Sequence, residues 1–318
     1  MSEHTFVKDL VSIIIPTYNR RNWIGECLNA VKAQTYPYLE TIIVDDGSSD
    51  GTVEWLRAEP RYQFAKIHEQ KNSGASAARN TGVKLSTGEF ITYIDSDDVL
   101  EPHHIQTAVE TFRKYPKLGL FCCDALMIDA ESRIMNEGRT WHEMNSVVKN
   151  YPVKSGLRCL EDIFLFSNCF PGFTLRREVF DKVGYLDQSI FPLDDYDFAL
   201  RVAGSGYEVY YCHQALARYR NHGGNSSGAA NGIKVAEEKL RCLQIALTRN
   251  PELKNLGEAA KHRIAEVQTE LAVSCFYAGK MTAAGRAVVQ AISNDIHQLT
   301  QVAKLGKNWL AKRVSALS

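Results

Sequence analysis

Val11 to Thr17, read Val-Ser-Ile-Ile-Ile-Pro-Thr, is apolar and β-branched almost throughout, with no alternation of polar and apolar positions. A strand of that kind needs cover on both faces, as in parallel sheets flanked by helices, rather than one dry face and one wet one. The following segments keep to that plan. Trp23, Ile24, Cys27, Leu28 and Val31 are apolar at helical spacing, and the pattern stops before Pro37. Glu40 to Val44 predicts a second buried strand, which ends in a turn of Asp, Gly and Ser before a short helix, Val53 to Arg57. Phe64 to His68 predicts a third strand. Gly74 to Leu85 predicts a helix rich in small residues, able to pack close to a sheet, and Ile91 to Ile94 a fourth strand. Strand and helix alternating at this spacing predict an α/β fold with a doubly wound, mainly parallel sheet. No Gly-x-Gly-x-x-Gly follows the first strand, which argues against a dinucleotide site of the usual kind.

Further on, a helix is expected from Pro102 to about Tyr115 and a strand from Leu118 to Met127. Residues 134–153 are polar with scattered aromatics and read as an irregular insertion. A short strand at Phe170 to Leu175 and an acidic turn leading into an amphipathic helix from Leu193 to Val202 come next. Tyr207 to Cys212 predicts a strand, and Tyr219 to His222 ends a further extended piece. Gly223 to Gly232, rich in Gly, Ser and Asn, reads as a mobile loop and a domain boundary. The pattern is helical from Ile233 on, and Tyr277 to Lys280 reads as the turn of a helical hairpin. No second copy stands at a fixed period, so no repeat array is inferred. The resulting domains are 1–228 and 229–318.

Lys plus Arg and Asp plus Glu both number 37, so the formal net charge is zero. A general nucleic-acid binder needs an excess of positive charge, and this chain has none. None of the eight cysteines is spaced Cys-x-x-Cys, and most lie in apolar runs such as Leu120 to Cys123. That favours reduced, buried thiols over structural zinc or a disulfide framework. The start, MSEHTFVKDL, has no signal-peptide pattern, and no apolar run approaches the ~20 residues that span a bilayer. The last segment, Leu299 to Ser318, sets Lys304, Lys307, Lys312 and Arg313 against Val302, Leu305, Trp309, Leu310 and Val314. This basic amphipathic helix is compatible with peripheral membrane contact or with docking on its own domain. The expectation is a cytoplasmic protein, soluble or peripheral at the inner face of the membrane.

Directly after the fourth strand come Asp95, Asp97 and Asp98. Three carboxylates so close repel one another unless a cation or several donors sit among their oxygens. They fall at the carboxyl end of a strand, where open α/β sheets bind ligands. Hard oxygen ligands suit Mg²⁺ or Mn²⁺, and Mg²⁺ typically takes phosphate oxygens as well. Two readings stand: a divalent cation holding a phosphorylated ligand, or a solvated acidic turn capping the helix near Pro102.

Six motifs in order carry a resemblance. They are Val11-Ser-Ile-Ile-Ile-Pro-Thr-Tyr-Asn19, Ile43-Val-Asp-Asp-Gly-Ser-Ser-Asp50, Gly74-Ala-Ser-Ala-Ala-Arg-Asn80, Tyr93-Ile-Asp-Ser-Asp-Asp98, Asp194-Asp-Tyr-Asp-Phe198 and Tyr219-Arg-Asn-His222. With them the chain, over about residues 9–228, resembles the family 2 glycosyltransferases of GT-A fold. The resemblance implies a mixed, mainly parallel sheet flanked by helices, here with a C-terminal all-α extension. It implies an inverting transfer from a nucleotide-diphosphate sugar, UDP-sugar favoured and dTDP open, to a saccharide or lipid-linked acceptor. Bacterial surface polysaccharide or glycolipid synthesis is the setting it suggests, with Mn²⁺ or Mg²⁺ as cofactor.

Donor binding falls on Pro16, Tyr18, Asp46, Arg79, Asp95 and Ser96. The ring of Tyr18 can stack on a base, and Asp46 can accept the N–H that uracil offers, whereas Asp45 can simply close its turn. Arg79 either reaches the donor or makes a surface salt bridge. Asp95 suits the ribose hydroxyls or a metal-bound water. By the family's Asp-x-Asp pattern, Asp97 is the metal ligand, and Asp98 does no more than cap the next helix. His222 is the second metal ligand or a donor to a phosphate oxygen, and residues 223–232 form a lid. Asp195 is the general base for the acceptor hydroxyl. The family commonly has Glu-Asp where this chain has Asp194-Asp195, a departure in the first member only. Gly172 and Phe173 are expected to line the sugar site.

Three rival classes are weaker. A phosphotransfer receiver has its acidic pair after the first strand, not the second, and an Asp-nucleophile phosphatase needs Asp-x-Asp-x-Thr where Val99 stands. A catalytically inactive GT-A scaffold predicts loss of Asp97 or Asp195, and both are present.

Overall fold

The β-branched run becomes β1 (Val7–Thr17), buried from Val11 to its end. Its computed structural model describes residues 6–146, 154–166, 172–226, 228 and 231–298. After β1 come α1 (Ile24–Lys32), β2 (Leu39–Asp45), α2 (Thr52–Ala58), β3 (Ala65–Glu69), α3 (Ala75–Leu85) and β4 (Gly88–Tyr93). Then follow β5 (Val99–Leu100), α4 (His104–Lys114), β6 (Leu118–Ile128), α5 (Trp141–Ser146), β7 (Gly156–Arg158) and α6 (Leu160–Phe166). The last elements of this part are β8 (Thr174–Arg176), α7 (Val179–Val183), α8 (Asp194–Gly204) and β9 (Glu208–Arg220).

Among the described residues these strands make one nine-stranded sheet in the order β3-β2-β1-β4-β8-β6-β9-β5, with β7 also paired to β9. β1 runs parallel to β2 and β4, β2 to β3, and β6 to β9. The short β8 is antiparallel to both β4 and β6. Six strands therefore point the same way, and the carboxyl ends of β1, β2, β3, β4, β6 and β9 share one edge. The mixed, mainly parallel sheet is the architecture expected.

The details differ in three places. Glu208–Arg220 forms one long strand, β9, rather than two extended pieces. The polar pair His213 and Gln214 breaks the apolar pattern, but the ladder to β6 absorbs it through register shifts around Asp124. The insertion expected to be irregular contains α5, which packs on β6. The strand expected at Phe170–Leu175 is Thr174–Arg176, with 167–171 outside the described residues.

The small-residue helix α3 packs as its composition predicts. A Cβ built on Gly82 would lie 2.3 Å from Ile14 Cγ2, a stiff branch of a core strand residue. Gly82→Ala should therefore destabilise the protein, although in a free helix the change gains about 1 kcal/mol. Overpacking of about 1–3 kcal/mol outweighs that gain. A lower urea midpoint at unchanged slope is the expected result, and a higher midpoint would contradict the close contact.

The chain divides into two compact units, residues 1–189 with 194–222, and 190–193 with 223–318. In the second, α9 (Gly232–Arg249) precedes α10 (Glu258–Tyr277) and α11 (Met281–Asn294). The latter two form the expected hairpin around Gly279, whose φ of 74° is a left-handed conformation that favours glycine. Asn294 Nδ2 donates to Gln268 Oε1 at 2.9 Å, and His262 pairs with Asp295, closing the open end of the hairpin. The basic segment 299–318 lies outside the described residues. No helix among the described residues is long and apolar enough to cross a membrane. The described cysteines are free, and all but Cys159 are buried.

Candidate active site

At the shared strand edge, the loops after β1 and β2 are fastened together. Asn19, in a left-handed conformation, receives a hydrogen bond from Ser49 N at its Oδ1 and donates its own N–H to Ser48 Oγ, both at 2.8 Å. Tyr18 beside it is 46% exposed. Pro16 is buried within β1, opposite Val44. Asp45 closes its own turn, accepting the N–H groups of Gly47 and Ser48. Asp46 is buried at the entry to α3. Its carboxylate accepts Gln70 Nε2 at 2.7 Å, Ser73 N at 2.9 Å and Gly74 N at 2.8 Å. A carboxylate offers about four acceptor positions, so Asp46 has room for about one more donor.

The four residues after Ile94 make the centre of the site. Asp95 receives Arg79 Nη2 at 2.6 Å, while Arg79 Nη1 reaches Asp194 Oδ2 at 3.1 Å. Arg79 is thus a largely buried bridge between the loop after β4 and the start of α8, not a surface salt bridge. Burial, the largest influence, works against its charge, but Asp95 and Asp194 outweigh it and hold the guanidinium protonated. Ser96 is buried. Asp97 Oδ2 takes two donors, Arg20 Nε at 2.9 Å and His222 Nε2 at 3.0 Å. The His222 ring lies on Trp23 with centroids 4.4 Å apart.

Asp98 is buried, and its Oδ1 accepts the backbone N–H of Arg220 at 2.8 Å. Burial first, then the charges of Asp97 and Asp95, push its carboxyl well above the usual range. The capping role expected for Asp98 is not what the structure shows. Helix α4 is preceded by His103 and has no side-chain cap, so the acidic cluster is not a helix cap.

Oxygens of Asp95, Asp97 and Asp98 all lie within 4.8 Å of one another. Clustered carboxylate oxygens are the hard donors that a divalent cation takes, and His222 Nε2 stands beside them, hydrogen-bonded to Asp97 Oδ2.

Arg220 supports this loop, and sequence reasoning gave it no role although it stands in the Tyr219-Arg-Asn-His222 motif. It is fully buried. It donates to Asp97 O at 2.7 Å, Asp129 O at 3.1 Å, Ser132 Oγ at 2.8 Å and Glu26 Oε2 at 2.6 Å. Trp23, expected to be a core residue of α1, instead caps the loop by donating Nε1 to Ala130 O and carrying His222. Arg20 and Glu26 were also missed, because a charge beside a loop carries no signal until its partner is known.

The acidic start of α8 separates into different roles. Asp194 is buried and takes Ser76 Oγ at 2.8 Å as well as Arg79. Asp197 pairs with Arg201 one turn later at 2.7 Å. Asp195 has a single hydrogen-bond partner among the described residues, the N–H of Tyr196 at 2.7 Å. Burial and the neighbouring Asp194 push its carboxyl up to about 7, against the pull of Arg79. A carboxylate with that affinity for a proton is suited to removing one at neutral pH. Phe173 is buried, and its carbonyl accepts Tyr93 N–H, so it docks β8 onto β4. Gly172 lies against the buried His104 ring, 2.7 Å from where a Cβ would stand. The expected lid, 223–232, includes residues 227, 229 and 230, which lie outside the described residues.

The sequence profile of Glycosyl transferase family 2 matches residues 12–184. The chain belongs to glycosyltransferase family 2. It is 30% identical over 272 residues to chondroitin synthase of Escherichia coli, covering 82% of this chain but only 37% of that longer protein. The uncharacterized glycosyltransferase YwdF of Bacillus subtilis is 32% identical over 224 residues, 68% of this chain and 77% of the other. Among solved structures, TarS of S. aureus (residues 1–349, with UDP-GlcNAc) superposes with a TM-score of 0.55 at 17% identity, covering 90% of this chain and 89% of that one. A mannosyltransferase of Pyrobaculum calidifontis, with GDP-Man and Mn²⁺, gives 0.61 at 20% identity, covering 92% and 79%. At such identities the structures establish the GT-A fold, and the family establishes a transferase.

Proposed function

We propose that this family 2 glycosyltransferase moves a sugar from a nucleoside-diphosphate sugar, with UDP favoured, to a hydroxyl of a saccharide or lipid-linked acceptor. The observation that carries the reading is Arg79, which joins the carboxylate loop of Asp95 to the helix start that holds Asp195. Donor-binding and proton-accepting groups thereby share one site. Tyr18 stacks on the base, and Asp46 uses its remaining acceptor position for a base N–H. Asp195 takes the acceptor proton as the hydroxyl attacks the anomeric carbon, so one in-line displacement inverts the configuration. Asp97 and His222 would hold a divalent cation, Mn²⁺ or Mg²⁺, which when bound neutralises charge on the departing diphosphate. The likeness to chondroitin synthase supports a saccharide acceptor.

Calorimetric titration of UDP, GDP and dTDP with Mn²⁺ and then with EDTA tests the donor. UDP binding that needs Mn²⁺ and is lost in Asp97→Ala is the expected result. Tighter binding of GDP would replace the uridine assignment, and equal binding in EDTA would remove the metal from it.

A further inference from the structure

We infer that Arg20 is a mobile donor-binding residue, holding Asp97 while no cation is bound and moving to the diphosphate when Asp97 takes one. The inference rests on the nucleoside-diphosphate reading above and adds a residue and a binding order to it.

One oxygen, Asp97 Oδ2, carries both Arg20 Nε and His222 Nε2. Their fates differ when a divalent cation arrives. An imidazole nitrogen serves as a hydrogen-bond donor in one form and as a metal ligand in another, so His222 can stay at Asp97 with its ring still resting on Trp23. A guanidinium keeps its protons at any ordinary pH and offers no lone pair. A cation on Asp97 repels that fixed positive charge, so the two compete for the same carboxylate.

Arg20 is built to leave, and Arg220 is not. The Arg20 side chain is 25% exposed, and its other contacts are Nη1 donations to the Tyr18 and Asn19 carbonyls, both at a long 3.3 Å. Its guanidinium also lies 5.7 Å from the Trp23 ring centre, a contact that tolerates sliding. Arg220 is sealed among five acceptor groups.

Arg20 stands on the loop that also carries Tyr18, the residue placed under the base. A diphosphate tethered to that base and to the cation at Asp97 brings new anionic oxygens beside Arg20. A planar guanidinium matches two phosphate oxygens at once. Cation alone would strand Arg20 without an anion, and nucleotide alone would find it still on Asp97. The two therefore strengthen each other's binding, and by linkage the factor is the same in both directions.

The test is Mn²⁺ binding followed by electron paramagnetic resonance, without and with UDP, on wild type, Arg20→Ala and Arg20→Lys. Without UDP, Arg20→Ala should bind Mn²⁺ about tenfold more tightly than wild type, because a competing charge is gone. With Mn²⁺ saturating, the same variant should bind UDP about tenfold to a hundredfold more weakly. Arg20→Lys should keep the wild-type Mn²⁺ affinity and recover part of the UDP affinity, which a damaged loop would not do. Unchanged or weaker Mn²⁺ binding by Arg20→Ala without UDP would overturn the competition. Tighter Mn²⁺ with unchanged UDP binding would overturn the move to the diphosphate. If wild type binds neither Mn²⁺ nor UDP, the donor reading itself fails, an outcome distinct from both.

Discussion

Asp195→Asn is expected to lower kcat by about a hundredfold to ten-thousandfold, the range for losing a general base. UDP and Mn²⁺ should bind it as they bind wild type, since Asp195 touches neither the Asp97 oxygens nor the Asp46 contacts. The change keeps the shape and the hydrogen bond from Tyr196 N–H while removing the ability to take a proton. A pH profile separates this role from a structural one. Burial and Asp194 raise the Asp195 carboxyl to about 7, and only the ionised form is a base. Wild-type kcat/KM should therefore fall as pH drops below about 7, a limb well above the usual carboxylate range. Asp195→Asn should lose that limb and keep a low, flat rate. Full activity in the Asn variant would move the base elsewhere, with Asp194 a poor substitute because Ser76 and Arg79 already occupy it.

The largest effect on stability is expected at Arg220. Arg220→Met keeps most of the volume and removes every donor. Glu26 loses its ion partner and the Asp97 carbonyl loses its Arg220 donor, while Ala130 O keeps Trp23 Nε1 and Asp129 O keeps Ser132 N–H. Glu26 is 38% exposed, so the main cost is the Asp97 carbonyl left without its donor, about 1–3 kcal/mol. Thermal unfolding should show a fall in Tm. Mn²⁺-dependent UDP binding should weaken even at temperatures where the variant is folded, because Arg220 holds the Asp97 carbonyl. Arg220→Lys should rescue little, since one ammonium cannot span acceptors arranged around a planar fork. A variant with wild-type Tm would show that the network is dispensable.

Much of this was legible in the chain. β1 announced itself because a non-alternating β-branched run has few other places to go. α3 did so because Ala, Ser and Gly at consecutive positions have little use except close packing, and Gly82 against Ile14 shows it. Carboxylates after β4 were visible as a cluster, yet their division of labour was not. Nothing local tells that Asp98 serves the backbone of Arg220 in β9, or that Arg20 and His222 meet on one oxygen of Asp97. Those contacts join residues far apart in sequence, and a charge whose partner lies across the fold leaves no periodic trace. β9 was missed as one strand because His213 and Gln214 interrupt its pattern where the ladder to β6 slips in register.

The three-residue strand β8 has a consequence for how such a protein can change over time. It meets β4 through three residue pairs and β6 through two, the thinnest seam in the sheet apart from its edges. Tyr18 and Asp46 follow strands on one side of that seam, whereas His222 follows β9 on the other. Between β6 and β8 in the chain, α5 packs on β6 and β7 pairs with β9, both on that other side. Insertions, deletions and substitutions there can accumulate without shifting the register of β1 against β2 and β4.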